Sequence, residues 1–206
     1  MYDGKSIREK IRIPDNKTIV FYIPTAYQYH WYMCREAYLS CSYFEFLYKL
    51  CDIFVKFPDI QFVYKPFSEL PEDPMAEILG LRVKNCTVVR DISVPEIIAV
   101  SDAVIIDIPS TALLEALLTD RPLLIFADSR FITLREKARQ LLKKRAIVAE
   151  KPEEFYSCLV EFLSSKFEVL EQVDRSFIQE YGTYLDDGKS AERAFNKILE
   201  IIKNNG

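Results

Sequence analysis

The sequence predicts an α/β protein with a doubly wound parallel sheet of about six strands and helices on both faces. Short apolar, β-branched segments alternate along the chain with longer segments of helical periodicity. Strands without polar–apolar alternation are typical of a parallel sheet that is covered on both faces. The 206 residues, 50% of them hydrophobic, can form one large core. Together these observations predict a Rossmann-like domain with the strand order 3-2-1-4-5-6.

The chain begins with a polar segment that precedes the first strand. We expect residues 1–16 to be a leader or linker with a short helix through IREKI, and residues 17–206 to be a single domain. The apolar segment Lys17–Ile23 predicts a buried strand that ends at Pro24–Thr25. A long aromatic segment follows and leads into a helix over about Arg35–Phe57, which is apolar on nearly all sides.

The second and third strands are separated by a proline-rich loop. Ile60–Lys65 predicts the second strand, and Pro66 ends it. The loop and a short helix, MAEILGLR, lead to a third strand that we expect over Thr87–Asp91. A compact helix follows, with Ser93 as its N-cap residue and a proline and a glutamate in its first turn.

The stretch Val100–Ala127 predicts a complete strand–helix–strand unit. Asp102–Asp107 is a short β-branched run, typical of a strand that is buried on both faces. Pro109 ends that strand, and Ser110 and Thr111 offer hydroxyl groups that can cap the helix ALLEALL. LLIFA is then the fifth strand, and AIVA, after a basic helix, is the sixth. A capped helix and a final helix with an apolar stripe complete the chain.

The turn between the fourth strand and its helix is suited to bind an anion. Hydroxyl groups and unpaired backbone N–H groups at a helix start favour phosphate. Glu115 lies about one turn beyond Thr111, where its carboxylate could accept hydrogen bonds from a sugar attached to that phosphate. A simpler role also fits, since Ser110 and Thr111 can serve only as caps and Glu115 can be only solvated. The predicted strand order makes the first and fourth strands neighbours, so Thr25 reaches the same crevice.

Composition and motif content argue against several classes of protein. The formal net charge of -4 argues against a general nucleic-acid binder. No GxGxxG fingerprint and no GxxxxGKS/T motif occurs, so neither a dinucleotide cofactor nor P-loop chemistry is expected. Five cysteines without CxxC spacing and a single histidine, His30, predict free thiols and no metal site. We find no membrane-spanning or signal-peptide stretch, and we expect a cytoplasmic protein, either free or at the inner face of the membrane.

Four segments together resemble a known family of transferases. PSTALLEALLTDRPLLIF resembles the donor-nucleotide motif of type-B glycosyltransferases, which contain two Rossmann domains. KTIVFYIPTAYQ, DISVPEIIAVSDAVIID and YLDDGKSAERAFNKIL resemble, in the same order, motifs of the CDP-glycerol glycerophosphotransferases and the related capsule and teichoic-acid transferases. The resemblance covers most of residues 17–202 and falls on the C-terminal, donor-binding domain of that family.

The resemblance implies an inverting transfer from a CDP- or UDP-activated donor to a growing cell-surface polymer. It implies that Ser110 and Thr111 hold the donor diphosphate, that Glu115 holds the ribose, and that Thr25 lines the floor of the pocket. It further implies that the leaving diphosphate is neutralised by a basic side chain of the tail motif, with no cofactor or metal ion. The tail motif consists of Asp187, Gly188, Lys189 and Arg193.

The chain departs from the pattern of that branch at several positions. Ala26–Gln28 replaces a segment that usually carries a basic residue, and Phe67 stands where a histidine is usual. His30 is a weak candidate for the missing catalytic imidazole, although a loop histidine among packed aromatic residues fits equally well. Lys65 is the nearest remaining cation and could contact phosphate, or could be only solvated. Asp120–Arg121 replaces the glycine that usually precedes the proline of the donor motif.

The chain is about half as long as a complete two-domain transferase. Its partners are therefore expected to be a nucleotide-activated donor and an acceptor domain or partner subunit, with at most peripheral association with a membrane. Whether the chain is itself an enzyme stays open. One alternative is a non-catalytic interaction or nucleotide-binding module that has kept the fold and lost activity. Another is a relative of sugar-nucleotide 2-epimerases, whose chemistry needs more carboxylates and histidines than this chain offers.

Overall fold

The protein forms one six-stranded parallel sheet. A computed structural model describes residues 3–25, 40–66, 73–167, 173–183, 185 and 187–205. The strand order is β3-β2-β1-β4-β5-β6, and every neighbouring pair is parallel. This confirms both the predicted fold class and the predicted order. The strands are β1 (Thr18–Ile23), β2 (Ile60–Tyr64), β3 (Cys86–Val88), β4 (Ala103–Ile106), β5 (Leu123–Phe126) and β6 (Ile147–Ala149).

Helices connect the strands and follow them. Ser93 begins α4 as predicted, because its backbone N–H and its hydroxyl both contact the Glu96 carboxylate in a capping box. Asp73 begins α3 by accepting hydrogen bonds from the N–H groups of Met75 and Ala76. The described helices are α1 (Gly4–Lys10), α2 (Ser40–Phe54), α3 (Pro74–Arg82), α4 (Val94–Val100), α5 (Thr111–Leu117), α6 (Glu136–Lys143), α7 (Pro152–Ser164), α8 (Ser176–Tyr181) and α9 (Ser190–Asn205).

The sheet separates two apolar clusters, one on each face. Successive strand residues point to opposite faces, so Phe21 belongs to one cluster and Tyr22 to the other. Helices α2, α3 and α7 cover the face that contains Tyr22, whereas α1, α4, α5, α6 and α8 contribute to the other. This two-sided cover explains why the strands are apolar throughout and do not alternate.

The segment that we expected to be a leader packs on the second of these clusters. Ile7, Ile11 and Ile13 are each less than 5% exposed. Arg8 donates hydrogen bonds to the carbonyl oxygens of Lys17 and Val100, which connect α1 to the start of β1 and the end of α4. Residues 4–13 therefore contribute to the core of the domain.

The last helix, α9, carries the predicted apolar stripe on an exposed face. Phe195, Ile198 and Ile202 are 60%, 56% and 61% exposed. An ion pair in which Arg193 Nη1 donates to both carboxylate oxygens of Asp187 holds the start of the helix. Across the described residues, none of the helices is long and apolar enough to cross a bilayer.

Candidate functional site

The candidate site lies where the strand order reverses, between β1 and β4. The two strands pair in register up to Ile23 and Ile106. The segments that follow them, Pro24–Thr25 and Asp107–Thr111, therefore leave the same edge of the sheet side by side. A hydrogen bond of 3.3 Å from the Asp107 N–H to the Ile23 carbonyl oxygen joins them. Ligands of doubly wound sheets bind at such a point.

Asp107 is the buried centre of this region. Its Oδ2 accepts hydrogen bonds from the hydroxyls of Tyr22, at 2.7 Å, and Tyr43, at 2.5 Å. Burial raises the pKa of Asp107 to about 7, and the hydrogen bonds from the two tyrosines, together with the nearby backbone of Thr25, oppose that rise. One carboxyl group thus connects β1, α2 and the segment after β4.

Ser110 and Thr111 form the exposed start of α5. Ser110 occupies the N-cap position, with φ −135° and ψ −167°, but its hydroxyl makes no capping hydrogen bond. Ser110 is therefore the N-cap residue, but the predicted capping by its hydroxyl is wrong. The Ser110 carbonyl oxygen instead accepts a hydrogen bond of 3.0 Å from the Leu113 N–H. The Ser110 side chain is therefore not engaged in holding the helix.

Glu115 lies one turn further along α5 and is partly buried. Desolvation raises the pKa of its carboxyl above the ordinary value of 4.5. Such a carboxyl group gains from new hydrogen-bond donors, for example the hydroxyls of a sugar. The contact of Glu115 with a ribose stays a prediction.

Lys65 follows β2 at the same edge of the sheet. Its ammonium donates a hydrogen bond of 2.7 Å to the carbonyl oxygen of Arg90, which follows β3. Partial burial lowers the pKa of Lys65, and the charge of Asp91 opposes this change. The side chain therefore already links the ends of β2 and β3, and a phosphate would add a second partner.

The tail motif forms a local network at the start of α9. Asp187 accepts hydrogen bonds from the backbone N–H of Lys189 and from Arg193, and the side-chain bond from Arg193 is the main reason why the pKa of Asp187 is low. Arg193 also donates to the Leu185 carbonyl oxygen and the Ser190 hydroxyl. Gly188 adopts a φ of +71°, which L side chains rarely adopt.

Within this network, the side chains of Arg193 and Lys189 differ in how available they are to a diphosphate. Arg193 is engaged by Asp187, so it is less available to a diphosphate than the resemblance implies. The Lys189 side chain makes no hydrogen bond or ion pair with the described part of the chain. His30, the weak candidate for a catalytic base, and Phe67 lie outside the described residues.

The described residues offer no cluster of three or more histidine, cysteine, aspartate or glutamate side chains that could hold a metal ion. Cys51, Cys86 and Cys158 are free thiols. Burial raises the pKa of Cys51 to about 11 and that of Cys86 to about 12, so both thiols are unreactive at neutral pH.

The contribution of Asp107 is the feature that sequence reasoning missed. Its partners Tyr22 and Tyr43 lie 85 and 64 positions away along the chain. A local signal was nevertheless present, because an aspartate that follows a strand buried on both faces has to find hydrogen-bond donors.

Comparisons with known proteins place the fold. No protein-family model matches the chain, and no curated protein sequence matches it significantly. A structure of the wall teichoic acid polymerase TagF is similar, with a TM-score of 0.55 and 20% identity over 98% of this chain and 46% of that chain. S. aureus MnaA in complex with UDP has a TM-score of 0.60 and 14% identity, over 96% of this chain and 48% of that chain.

A third solved structure is covered by this chain over almost its whole length. The solution structure of ALG13 has a TM-score of 0.51 and 12% identity, over 80% of this chain and 95% of that chain. This chain therefore spans about half the length of the TagF and MnaA chains but nearly the whole of the ALG13 chain.

The chain therefore shares the Rossmann-like α/β fold of about one half of the TagF and MnaA structures.

Proposed function

We propose that this chain is the donor-nucleotide-binding half of a transferase. The transferase would move a glycosyl or glycerophosphate group from a CDP- or UDP-activated donor to a cell-surface polymer. The observation that carries the proposal is that the Pro24–Thr25 and Asp107–Thr111 segments follow the paired strands β1 and β4, where the strand order of the sheet reverses. Structures of this fold obtained with CDPG, for TagF, and with UDP, for MnaA, support nucleotide binding.

The proposed roles follow from the chemistry of the side chains. The hydroxyl of Ser110, which caps nothing, and the exposed backbone of the turn would hold the diphosphate. Glu115 would accept hydrogen bonds from the ribose hydroxyls. Lys65 and Lys189 would add positive charge that stabilises the leaving diphosphate, and no cofactor is needed for such a transfer.

The proposal assigns the acceptor to another part of the machinery. Since the chain spans less than half of the TagF chain, the acceptor site would lie in a second domain or in a partner subunit. Transfer activity would then require both halves, whereas donor binding would require only this one.

Ligand-induced stabilisation tests the proposal. CDP or UDP at millimolar concentration should raise the melting temperature, because a ligand that binds only the folded state stabilises it. Ser110→Ala and Glu115→Gln should each remove most of that shift. Ser157→Ala and Glu161→Gln, which change exposed residues of α7, are the matched controls and should keep it. A melting temperature that neither nucleotide changes in the wild-type protein would contradict the proposal.

A second candidate is a non-catalytic module that has kept the fold. The pairing of Arg193 with Asp187 and the exposed apolar stripe of α9 favour it, because one removes a cation from catalysis and the other offers a contact surface. This candidate predicts no stabilisation by either nucleotide and a stable complex with another protein, which size-exclusion chromatography of the two together would detect.

A further inference from the structure

We propose that Asp107 is a positioning residue for the donor site, holding the Pro24–Thr25 segment against the start of α5 in a manner that depends on one proton. The proposal rests on the proposed nucleotide binding at Ser110–Thr111 and deepens it. It assigns a role to a side chain that would not touch the donor but that is linked to the loop beside it through the Tyr43 hydroxyl.

The contacts of Asp107 give it this role. Tyr22, Tyr43 and Asp107 are each at most 1% exposed, so the carboxylate and both hydroxyls are shielded from water. The Asp107 carboxylate accepts hydrogen bonds from the hydroxyls of both tyrosines. The Tyr43 hydroxyl also lies 3.2 Å from the carbonyl oxygen of Thr25. The backbone of Thr25 therefore contacts this small network through its carbonyl oxygen.

The hydrogen bonds of this network depend on where the Tyr43 hydroxyl proton points. A tyrosine hydroxyl has one proton, so Tyr43 can donate fully to only one of its two acceptors. When Asp107 is ionised, the shorter contact, of 2.5 Å, takes that proton. When Asp107 takes up a proton from solvent, its carboxyl can donate to the Tyr43 oxygen, and the Tyr43 hydroxyl can donate to the Thr25 carbonyl. Protonation thus moves one hydrogen bond onto the loop.

Two other titratable side chains lie near this network, Tyr64 and Asp73, and they bond to each other. The Tyr64 ring stacks on Tyr22 with a centroid distance of 5.9 Å, and its hydroxyl donates to Asp73 at 2.9 Å. Asp73 is bound in addition by two backbone N–H groups at the start of α3. Among the described residues, the groups that face the Asp107 carboxylate are Tyr22 on β1, Tyr43 on α2 and the backbone of Thr25.

A bound diphosphate would act on this equilibrium through its charge. Ser110 is only three positions from Asp107, so a diphosphate there would disfavour the ionised carboxylate. Coupling between two sites is reciprocal, so the neutral form of Asp107 would bind the nucleotide more tightly. The pKa of about 7 places the exchange in the range of neutral pH.

The first experiment follows the loop itself, without any ligand. The amide signals of Thr25 are recorded by NMR from pH 5.5 to 8.5 in the full chain. We expect the Thr25 signal to titrate with a midpoint near 7 in the wild-type protein and not to titrate in Asp107→Asn. In Tyr43→Phe the midpoint should rise, because the ionised carboxylate loses a donor. A Thr25 signal that is constant over this range, or that moves equally in all three proteins, overturns the proposal.

The second experiment measures the dissociation constant of CDP and UDP over the same range of pH by isothermal titration calorimetry. The terminal phosphate of the nucleotide itself titrates near pH 6, so Asp107→Asn provides the baseline. Between pH 6 and 8, wild-type affinity should fall about tenfold more than that of the variant, within the usual size of such couplings. Binding with the same pH profile in both proteins overturns the positioning role alone. Absence of binding at every pH, with the Thr25 titration intact, overturns the proposed function and the role in donor binding with it.

Discussion

Raising the pH from 5 to 8 should destabilise the protein through Asp107. Its carboxyl is fully buried at the end of β4, and burial raises its pKa from 3.8 to about 7. The folded state therefore keeps a proton that the unfolded state releases near pH 4. A group with a raised pKa stabilises the fold fully below its unfolded value and loses that contribution as the pH rises through its folded value.

The size of the effect follows from the difference in pKa. A shift of about 3 units corresponds to about 4 kcal/mol of unfolding free energy, at 1.36 kcal/mol for each unit. About 3 kcal/mol of this falls between pH 5 and 8, since part of the loss occurs at lower pH. For a protein of this size, that difference lowers the melting temperature by about 5 to 10 °C.

Urea unfolding at pH 5, 6, 7 and 8, followed by circular dichroism, measures the effect. Asp107→Asn is the control, because every other ionisable group is the same in both proteins. The wild-type protein should lose about 3 kcal/mol more than the variant between pH 5 and 8, and the two proteins should have the same dependence on urea. Parallel profiles for the two proteins, or a wild-type protein that gains stability relative to the variant, would refute this account of Asp107.

Three further substitutions test the packing and the two predicted motifs. Phe155→Ala should cost about 3 to 5 kcal/mol of unfolding free energy, since Phe155 is fully buried against Phe46 and Phe126; a cost below 1 kcal/mol in urea unfolding would contradict that packing. Ser110→Ala should change stability by less than about 0.5 kcal/mol, because its hydroxyl caps nothing, whereas loss of a true cap costs about 1. Arg193→Ala should reduce the helical circular-dichroism signal of α9 but leave the urea midpoint of the whole domain nearly unchanged, because the ion pair is exposed to solvent. An unchanged helical signal would show that Asp187 does not hold the start of α9.

The sheet could be predicted because its strands are continuous apolar runs. The runs around Phe21, Val104 and Leu124 need cover on both faces, and right-handed crossovers then restrict the strand order. Short elements were predicted less well: the third strand is Cys86–Val88, not Thr87–Asp91, because only three residues pair with β2. The second helix ends at Phe54 in the structure and at Phe57 in the prediction, because residues 55–57 form a turn.

The burial of α1 and the hydrogen bonds of Asp107 could not be predicted from the sequence. Ile7 and Ile11 lie four positions apart among charged residues, and the polar composition of this segment predicted a linker. In the fold both side chains are buried. The environment of Asp107 depends on Tyr22 and Tyr43, which approach it through the sheet and through α2. Such contacts are set by tertiary structure and leave no spacing pattern in the chain.

The most direct test of the donor-site proposal is where CDP or UDP binds, mapped by NMR shift changes on the full chain. We predict that the largest changes cluster at Thr25, Ser110, Thr111 and Glu115. The residues of α7 should serve as the unaffected reference. No change at millimolar nucleotide, or changes that cluster away from the ends of β1 and β4, would contradict the assignment of this chain as a donor-binding half.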